Sequence, residues 1–219
     1  MAENQELPTS HWRMETWFPD LSPEIQKQFK IYNEELTKFN KTLSLVSPKT
    51  IPMADALHFA DSILASRVIA KSNSRMTEIY DLSMGNGFPG LVFAILNPKV
   101  KVHVVDPDQR KCEFLKHIIA VAQIPNADVL NVKPDTLKEG TVQYVMTRGF
   151  ASISKVILLL RKIVPKGGIV YHLKGEQWGM EVSEIPIQLC SLWTPGLVGE
   201  YRLPIGEVKF SVIKTDKLA

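Results

Sequence analysis

One segment, YDLSMGNGFPG at residues 80–90, constrains the fold of this chain more than any other. An aspartate stands near the end of an apolar run, glycines follow at 85, 87 and 90, and a second apolar run occupies residues 91–96. This order is typical of a β-strand that turns tightly into a helix, because glycine tolerates left-handed backbone and the close approach of a ligand. The segment therefore predicts an α/β fold with a ligand-binding loop after its first strand.

From residue 78 onward, short apolar runs alternate with helical patterns, which indicates β-α-β units around a mostly parallel sheet. The strands predicted for the parallel part are 78–82, 100–105, 127–132, 142–147 and 168–173. Helices are predicted between them at 91–96, 112–122 and 152–164. Toward the C-terminus, residues 189–193 and 209–213 are predicted as strands, one of them antiparallel, with turns at Gly167-Gly168 and Pro195-Gly196.

Two helices are predicted before this core. Ser22-Pro23 is a typical helix start, and a second helix is predicted from near Thr50 or Pro52. The first helix carries one apolar stripe, formed by Ile25, Phe29, Tyr32, Leu36 and Phe39. We therefore expect a single domain over residues 1–219, with a helical extension at 1–70 and a cofactor-binding core at 71–219.

The composition limits the classes of protein that the chain can belong to. Lys and Arg number 26 against 23 Asp and Glu, so an anionic partner is permitted but not demanded. Cys112 and Cys190 stand far apart, which argues against a zinc site, and no metal is expected. The apolar runs are too short to span a bilayer and the N-terminus lacks an apolar signal core. We therefore expect a cytoplasmic protein without a membrane partner, and nothing demands more than a monomer.

The glycine loop has two interpretations. Its GNGFPG matches the dinucleotide pattern, and Asp106 ends the next predicted strand 19 residues after Gly87. A carboxylate at that place can accept both hydroxyls of a ribose. NAD and S-adenosylmethionine both carry an adenosine ribose, so this feature alone does not separate them.

Three features favour S-adenosylmethionine. Asp81 suits a cationic sulfonium and amino group better than an anionic pyrophosphate. Pro89 at the helix start removes one N–H donor that a pyrophosphate would use. The remaining length shows no second cofactor repeat and no nicotinamide-binding segment. A nicotinamide-dependent oxidoreductase remains the alternative from another class.

Several motifs in one order carry a resemblance to a known family. They are Asn40-Lys41, HFADS at 58–62, GFPG at 87–90, VVD at 104–106 with Arg110-Lys111, TRGF at 147–150 and LKG at 173–175. With these motifs the chain resembles the RsmG (GidB) family. That resemblance implies a class I S-adenosylmethionine methyltransferase, an α/β Rossmann-like fold whose mostly parallel sheet carries helices on both faces. It also implies methylation of a guanine N7 in 16S ribosomal RNA, with the small ribosomal subunit or its precursor as partner.

The resemblance also implies roles for individual residues. The cofactor-binding candidates are Asp81, Ser83, Gly85, Gly87, Phe88, Asp106, Pro134, Asp135 and Arg148, with Asp135 beside the adenine. The RNA-binding candidates are Lys174 and Lys209, together with Lys155, which belongs to a basic helix whose alternative interpretation is an ordinary solvated surface. Guanine N7 carries a free lone pair, so no residue is expected to act as an acid or base. Arg148 and Lys174 are instead expected to position RNA phosphate or the cofactor carboxylate.

The chain departs from the family pattern at several positions. Ser83 stands where the family loop has its first glycine, and Asp135 is one methylene shorter than the family's glutamate. Near the C-terminus a family arginine aligns with Val208 or Lys209. These departures keep a second alternative open, namely a catalytically weak member that binds RNA or ribosomal particles without methylating them.

Overall fold

The computed structural model describes residues 12–83, 85–207 and 209–219, so Val208 lies outside the described residues. The strands are β1 (Glu78–Asp81), β2 (Lys101–Val105), β3 (Ala127–Leu130), β4 (Tyr144–Arg148), β5 (Ile169–Lys174), β6 (Trp193–Arg202) and β7 (Lys209–Lys217). The α-helices are α1 (Met14–Trp17), α2 (Pro23–Leu43), α3 (Asp61–Ser72), α4 (Gly90–Leu96), α5 (Gln109–Val121), α6 (Ile153–Leu160), α7 (Trp178–Ser183) and α8 (Ile187–Cys190). Within these ranges, none of the helices has the length and apolarity needed to cross a bilayer.

The seven strands form one sheet in the order β3-β2-β1-β4-β5-β7-β6. Strands β1 to β5 pair in parallel, whereas β7 is antiparallel to both β5 and β6. The chain moves outward from β1 to β2 and β3, and then crosses to β4 on the other side of β1. Ligands of such sheets bind where the strand order reverses, at the carboxyl ends of the strands. The topology therefore places the candidate site at the carboxyl end of β1.

Helices cover both faces of the sheet, as expected. One face buries residues of α2 to α5, including Phe29, Ile63 and Leu115. The other buries residues of α6 and α8, including Ile157 and Leu189. The apolar residues of α2 therefore belong to the same core as the strands that they cover.

The N-terminal helices form for identifiable local reasons. The Ser22 hydroxyl accepts from the Ile25 N–H, and Pro23 occupies the first helical position of α2. The second predicted helix is α-helical only in its last part, α3. Before α3, Pro48–Met53 is a 3-10 turn and Asp55–Ala60 is π-helical. Isolated π-helical segments occur frequently at functional sites.

The C-terminal prediction was partly wrong. Residues 189–193 do not form a strand, because Ile187–Cys190 is helical and β6 begins only at Trp193. Pro195-Gly196 is not a turn but lies inside β6, paired with Thr215 and Lys214. Strand β6 is the edge of the sheet, where proline is tolerated because one side of an edge strand has no neighbour that requires a backbone N–H.

His172 is a fully buried titratable group in β5. Its Nε2 lies 3.0 Å from Thr215 Oγ1, and burial, with a smaller contribution from Lys174, lowers its pKa to about 3. An unfolded histidine titrates near pH ~6.5. Below that pH the unfolded chain binds a proton that the folded protein excludes, so stability is full above pH ~6.5 and declines as the pH falls.

Replacing His172 should therefore change the pH dependence of stability. Below pH ~6.5, His172→Leu should gain about 1.4 kcal/mol of unfolding free energy relative to the wild type for each pH unit. Urea unfolding at pH 7.5 and at pH 5 measures this difference. Thr215→Val is the control, because it removes the hydrogen-bond partner but keeps the ring, and it should retain most of the wild-type slope. A difference between His172→Leu and wild type that is equal at both pH values would contradict the assignment.

Candidate functional site

Asp81, the last residue of β1, organises the glycine loop. Its side chain is fully buried, and its two oxygens accept from the Ser83 N–H and the Gly90 N–H, each at 2.8 Å. Burial raises the pKa of Asp81, while bonds from Ser83 and Gly90 and the charge of Arg148 partly offset that rise. The carboxylate thus joins the start of the loop to the start of α4. Its predicted contact with a cofactor stays a prediction.

Residues that precede β1 in the chain hold the glycine loop in place through hydrogen bonds. The Tyr32 hydroxyl donates to the Asn86 carbonyl at 2.5 Å, and Asn86 Nδ2 donates to the Leu45 carbonyl at 3.2 Å. The Asn86 side chain also accepts from the Phe88 N–H at 3.1 Å. Sequence reasoning missed both Tyr32 and Asn86 as site residues. Tyr32 was not recognised because it belongs to an apolar stripe that is ordinary for a helix packed on a core.

Phe88 is fully buried in an aromatic cluster. Its ring stacks on Tyr32 with centroids 4.9 Å apart, and Phe59 meets it edge-on at 4.9 Å. His58 stacks at 5.4 Å, and the Arg148 guanidinium carbon lies 5.4 Å from the ring centroid. The side chain of Phe88 therefore packs inside the protein, and its predicted contact with a cofactor stays a prediction.

The loop packs closely against Asp106, which follows β2. Gly85 and Gly87 have φ angles of 68° and 81°, in the left-handed region that favours glycine. A Cβ atom on Gly85 would lie 2.5 Å from Asp106 Oδ2, and one on Gly87 would collide with the Tyr32 hydroxyl. The structure therefore brings Gly85 and the predicted ribose-binding acid together without room for a side chain between them, and it packs Gly87 against Tyr32.

Further contacts hold Asp106 in place. Its Oδ1 accepts from the Asp108 N–H at 2.7 Å, and its carbonyl accepts from Asn131 Nδ2 at 3.1 Å and from Cys112 Sγ at 3.2 Å. Burial raises the pKa of Asp106, against the opposing effects of the Asp108 N–H and the charge of Lys111. Asn131 and Cys112 were not predicted as site residues, since neither belongs to a recognisable motif.

Arg148, the last residue of β4, is held at several points. Its N–H donates to Ser83 Oγ at 3.0 Å, so the serine in place of glycine joins β4 to the loop. The guanidinium Nη1 donates to Asp61 Oδ2 at 2.7 Å and to the Leu57 carbonyl at 3.3 Å, and Nη2 lies 3.3 Å from His58 Nδ1. The π-helical segment and the start of α3 are thereby joined to the carboxyl end of β4.

His58 is neutral in this cluster. Burial, followed by the charge of Arg148, lowers its pKa to about 3. Nδ1 faces a guanidinium that can only donate, so the ring proton is on Nε2, which lies 2.9 Å from Thr50 Oγ1. The Thr50 hydroxyl in turn donates to the Ser47 carbonyl at 2.8 Å. His58 therefore orients Arg148 and offers no free nitrogen as a base.

The three candidate RNA-binding lysines differ in their surroundings. Lys174 Nζ donates to the Ala151 carbonyl at 2.8 Å and to Glu181 Oε2 at 2.7 Å, so it braces the segment after β4. Lys209 Nζ lies 3.4 Å from Glu200 Oε2 in an exposed pair. Lys155 is exposed in the first turn of α6. Their contacts with RNA stay predictions.

Pro134 and Asp135 lie on the 3-10 turn Pro134–Thr136 after β3. Pro134 is buried, whereas Asp135 is exposed and lines an open pocket with Leu159 and Lys162 near the end of α6. In the described part of the chain no hydrogen bond joins Asp135 to the glycine loop. The adenine contact proposed for Asp135 stays a prediction.

The arrangement suits the binding and orientation of a ligand. Among residues 12–83, 85–207 and 209–219, no group of three or more His, Cys, Asp or Glu side chains could hold a metal ion. A glycine loop, a carboxylate after the next strand and a fixed guanidinium meet at one edge of the sheet. Such a site can hold an adenosine-bearing ligand that also carries a carboxylate.

Comparison with known proteins connects this geometry to a family. Residues 25–192 match the family model GidB, described as rRNA small subunit methyltransferase G. The chain is 58% identical over 221 residues to ribosomal RNA small subunit methyltransferase G 3 of Bdellovibrio bacteriovorus, and the match covers 100% of both chains. It is 31% identical over 169 residues to ribosomal RNA small subunit methyltransferase G of Macrococcus caseolyticus, covering 75% of this chain and 70% of that relative.

Solved structures share the fold. A predicted O-methyltransferase from Agrobacterium tumefaciens superposes with a TM-score of 0.55 at 20% identity, covering 73% of this chain and 84% of that one. A SAM-dependent methyltransferase from Aquifex aeolicus gives a TM-score of 0.54 at 12% identity, covering 84% of this chain and 97% of that one. At these identities the likeness establishes the class I methyltransferase fold alone.

Because the glycine loop is closely packed, adding one methyl group to it should lower the free energy of unfolding. Gly87→Ala should lower the free energy of unfolding by about 2–3 kcal/mol, from left-handed backbone strain plus displacement of the Tyr32 hydroxyl. Gly140→Ala is the matched control, because φ is 69° there and nothing lies within 4 Å of an added Cβ. It should cost only about 1 kcal/mol. Equal costs in chemical denaturation would show that the loop is not packed against Tyr32.

Proposed function

The chain belongs to the GidB family of rRNA small subunit methyltransferases, and from this we propose that it methylates a guanine N7 in 16S ribosomal RNA. The methyl donor is S-adenosylmethionine. The observation that carries the proposal is the glycine loop, tied to Asp81 on one side and packed against Asp106 on the other. These residues lie within the range 25–192 that the family model matches.

The chemistry of the site fits that cofactor. When bound, S-adenosylmethionine supplies an electrophilic methyl group. We assign the ribose hydroxyls to Asp106 and the approach of the adenosine to the backbone of Gly85 and Gly87. We assign the cofactor carboxylate to Arg148, whose guanidinium is fixed by Asp61. The buried negative charge of Asp81 favours a cationic ligand nearby.

The protein's task in this reaction is orientation. Guanine N7 has a free lone pair and needs no general base to accept a methyl group, so the proposed reaction requires no catalytic proton acceptor. His58 supports this mechanism, because its pKa of about 3 and its bond to Arg148 make it unsuitable as a base at neutral pH. Orientation of the two reactants can contribute roughly 7–11 kcal/mol to lowering a barrier.

We place the RNA at the carboxyl edge of the sheet. Lys155 follows the end of β4, and Lys209 begins β7, whose antiparallel pairing brings it beside the end of β5. Both can contact phosphate, which would position RNA without reading its sequence. Lys174 contributes by bracing the backbone at Ala151. The partner is the small ribosomal subunit or its precursor, which places the enzyme in the cytoplasm, and we propose that it acts as a monomer.

The two alternatives carry less support. Family membership disfavours a nicotinamide-dependent oxidoreductase. A catalytically weak member was suggested by Ser83, but its hydroxyl is used structurally, as the acceptor for the Arg148 N–H. The substitution therefore adds a bond between the loop and β4 instead of leaving an unaccommodated side chain.

Cofactor binding and its dependence on Asp106 can be measured directly. Calorimetric titration should show binding of S-adenosylmethionine and S-adenosylhomocysteine but not of NAD. Asp106→Ala should weaken both sulfur ligands by at least about 100-fold, because two hydrogen bonds to a charged acceptor are lost.

Asp128→Ala is the matched control for that titration. Asp128 is a carboxylate in the neighbouring strand β3, paired with Lys101 and His103 instead of the glycine loop. Its replacement should leave affinity unchanged. Binding of NAD without S-adenosylmethionine, or equal losses from both aspartate variants, would reject the proposal.

A further inference from the structure

We propose that Asp61 and Tyr201 are positioning residues that fix the Arg148 guanidinium for the carboxylate of the cofactor. This inference rests on the proposed function, in which Arg148 binds that carboxylate. It adds Tyr201 of the edge strand β6 to the site and makes Asp61 of α3 the link between Tyr201 and Arg148. Tyr201 also lies beyond residue 192, where the family match ends.

The carboxylate of Asp61 joins β6 to β4, because it is hydrogen-bonded to one residue of each strand. The Tyr201 hydroxyl donates to Asp61 Oδ1 at 2.6 Å, and Asp61 Oδ2 accepts from Arg148 Nη1 at 2.7 Å. The side chains of Asp61 and Arg148 are only 7% and 17% exposed. Each carboxylate oxygen thus has its own partner, which prevents the carboxylate from rotating. Charge-assisted bonds of this kind are stronger and more directional in a low-dielectric environment.

Tyr201 is suited to the role of a permanent donor. It is buried and stacks on Phe210, with ring centroids 5.9 Å apart. Burial, followed by the negative charge of Asp61, raises its pKa far above the ordinary value. The hydroxyl therefore keeps its proton at any pH at which the protein functions.

Arg148 retains donor capacity after these contacts. Both hydrogens of Nη1 are used, by Asp61 and by the Leu57 carbonyl, and one hydrogen of Nη2 is used by His58. Over the described part of the chain, the Nε–H and the second Nη2 hydrogen have no acceptor. Two N–H donors on one guanidinium are what a carboxylate recognises. Holding Nη1 leaves these two for the ligand.

The test compares two ligands that differ in the amino-acid part. S-adenosylhomocysteine carries a carboxylate and an amino group, whereas 5′-methylthioadenosine keeps the adenosine and the thioether but lacks both, and the Arg148→Met background described below isolates the effect of the carboxylate. Tyr201→Phe should weaken S-adenosylhomocysteine about tenfold, through the loss of one bond to a charged group, and change 5′-methylthioadenosine by less than about twofold. The variant keeps the ring that stacks on Phe210.

Tyr171→Phe is the matched control, because it removes the hydroxyl of another buried tyrosine. That hydroxyl lies 3.3 Å from Ser72 Oγ. This variant should change neither affinity. Asp61→Asn serves as a second variant if Tyr201→Phe melts near the assay temperature, and it should show the same selective loss. In an Arg148→Met background, Tyr201→Phe should have no further effect on S-adenosylhomocysteine.

The outcomes separate this inference from the proposed function. If Tyr201→Phe weakens both ligands equally, Tyr201 has a general structural role and the inference is wrong. It is also wrong if neither affinity changes, or if the loss persists in the Arg148→Met background. A wild-type protein that binds neither ligand would overturn the proposed function itself.

Discussion

The buried carboxylate of Asp81 is the interaction on which the site depends. A fully buried charge is costly unless it is hydrogen-bonded, and here two backbone N–H groups, from Ser83 and Gly90, satisfy it. The loop must fold around this carboxylate to supply them, which fixes the path of the chain from β1 into α4. The positive charge of Arg148 further offsets the burial. The protein's own groups therefore fix the shape of the loop.

Segments before and after the parallel strands contribute to the site at the carboxyl end of β1. Tyr32 of α2 supports the loop at Asn86, and the segment around His58 and Asp61 holds Arg148. Tyr201 of β6 then fixes Asp61 from the other side. The helical extension therefore contributes residues that hold the site together. An orientation-based mechanism needs such support, because small displacements of the reacting groups reduce the rate.

The parts of the fold that follow from local pattern could be predicted. The glycine spacing predicted the strand, loop and helix around residue 85. The position of Asp106 after the next strand predicted a carboxylate near this loop, and Asp106 does lie beside Gly85. The bond between Asp61 and Tyr201 spans 140 residues, and no periodicity in one sequence reports such a pair. The prediction for 189–193 failed because a short apolar run fits a helix as well as a strand. Pro195-Gly196 was predicted as a turn, and this prediction was wrong because an edge strand tolerates proline.

The most direct measurement is to locate the transferred methyl group. The protein would be incubated with small ribosomal subunits that lack the modification and with isotopically labelled S-adenosylmethionine. Nuclease fragments of the 16S RNA would then be examined by mass spectrometry, with Asp106→Ala as the control. We predict one labelled 7-methylguanosine that is absent with the variant. A labelled methyl group elsewhere on the RNA, or none despite tight cofactor binding, would contradict guanine-N7 methylation by this protein.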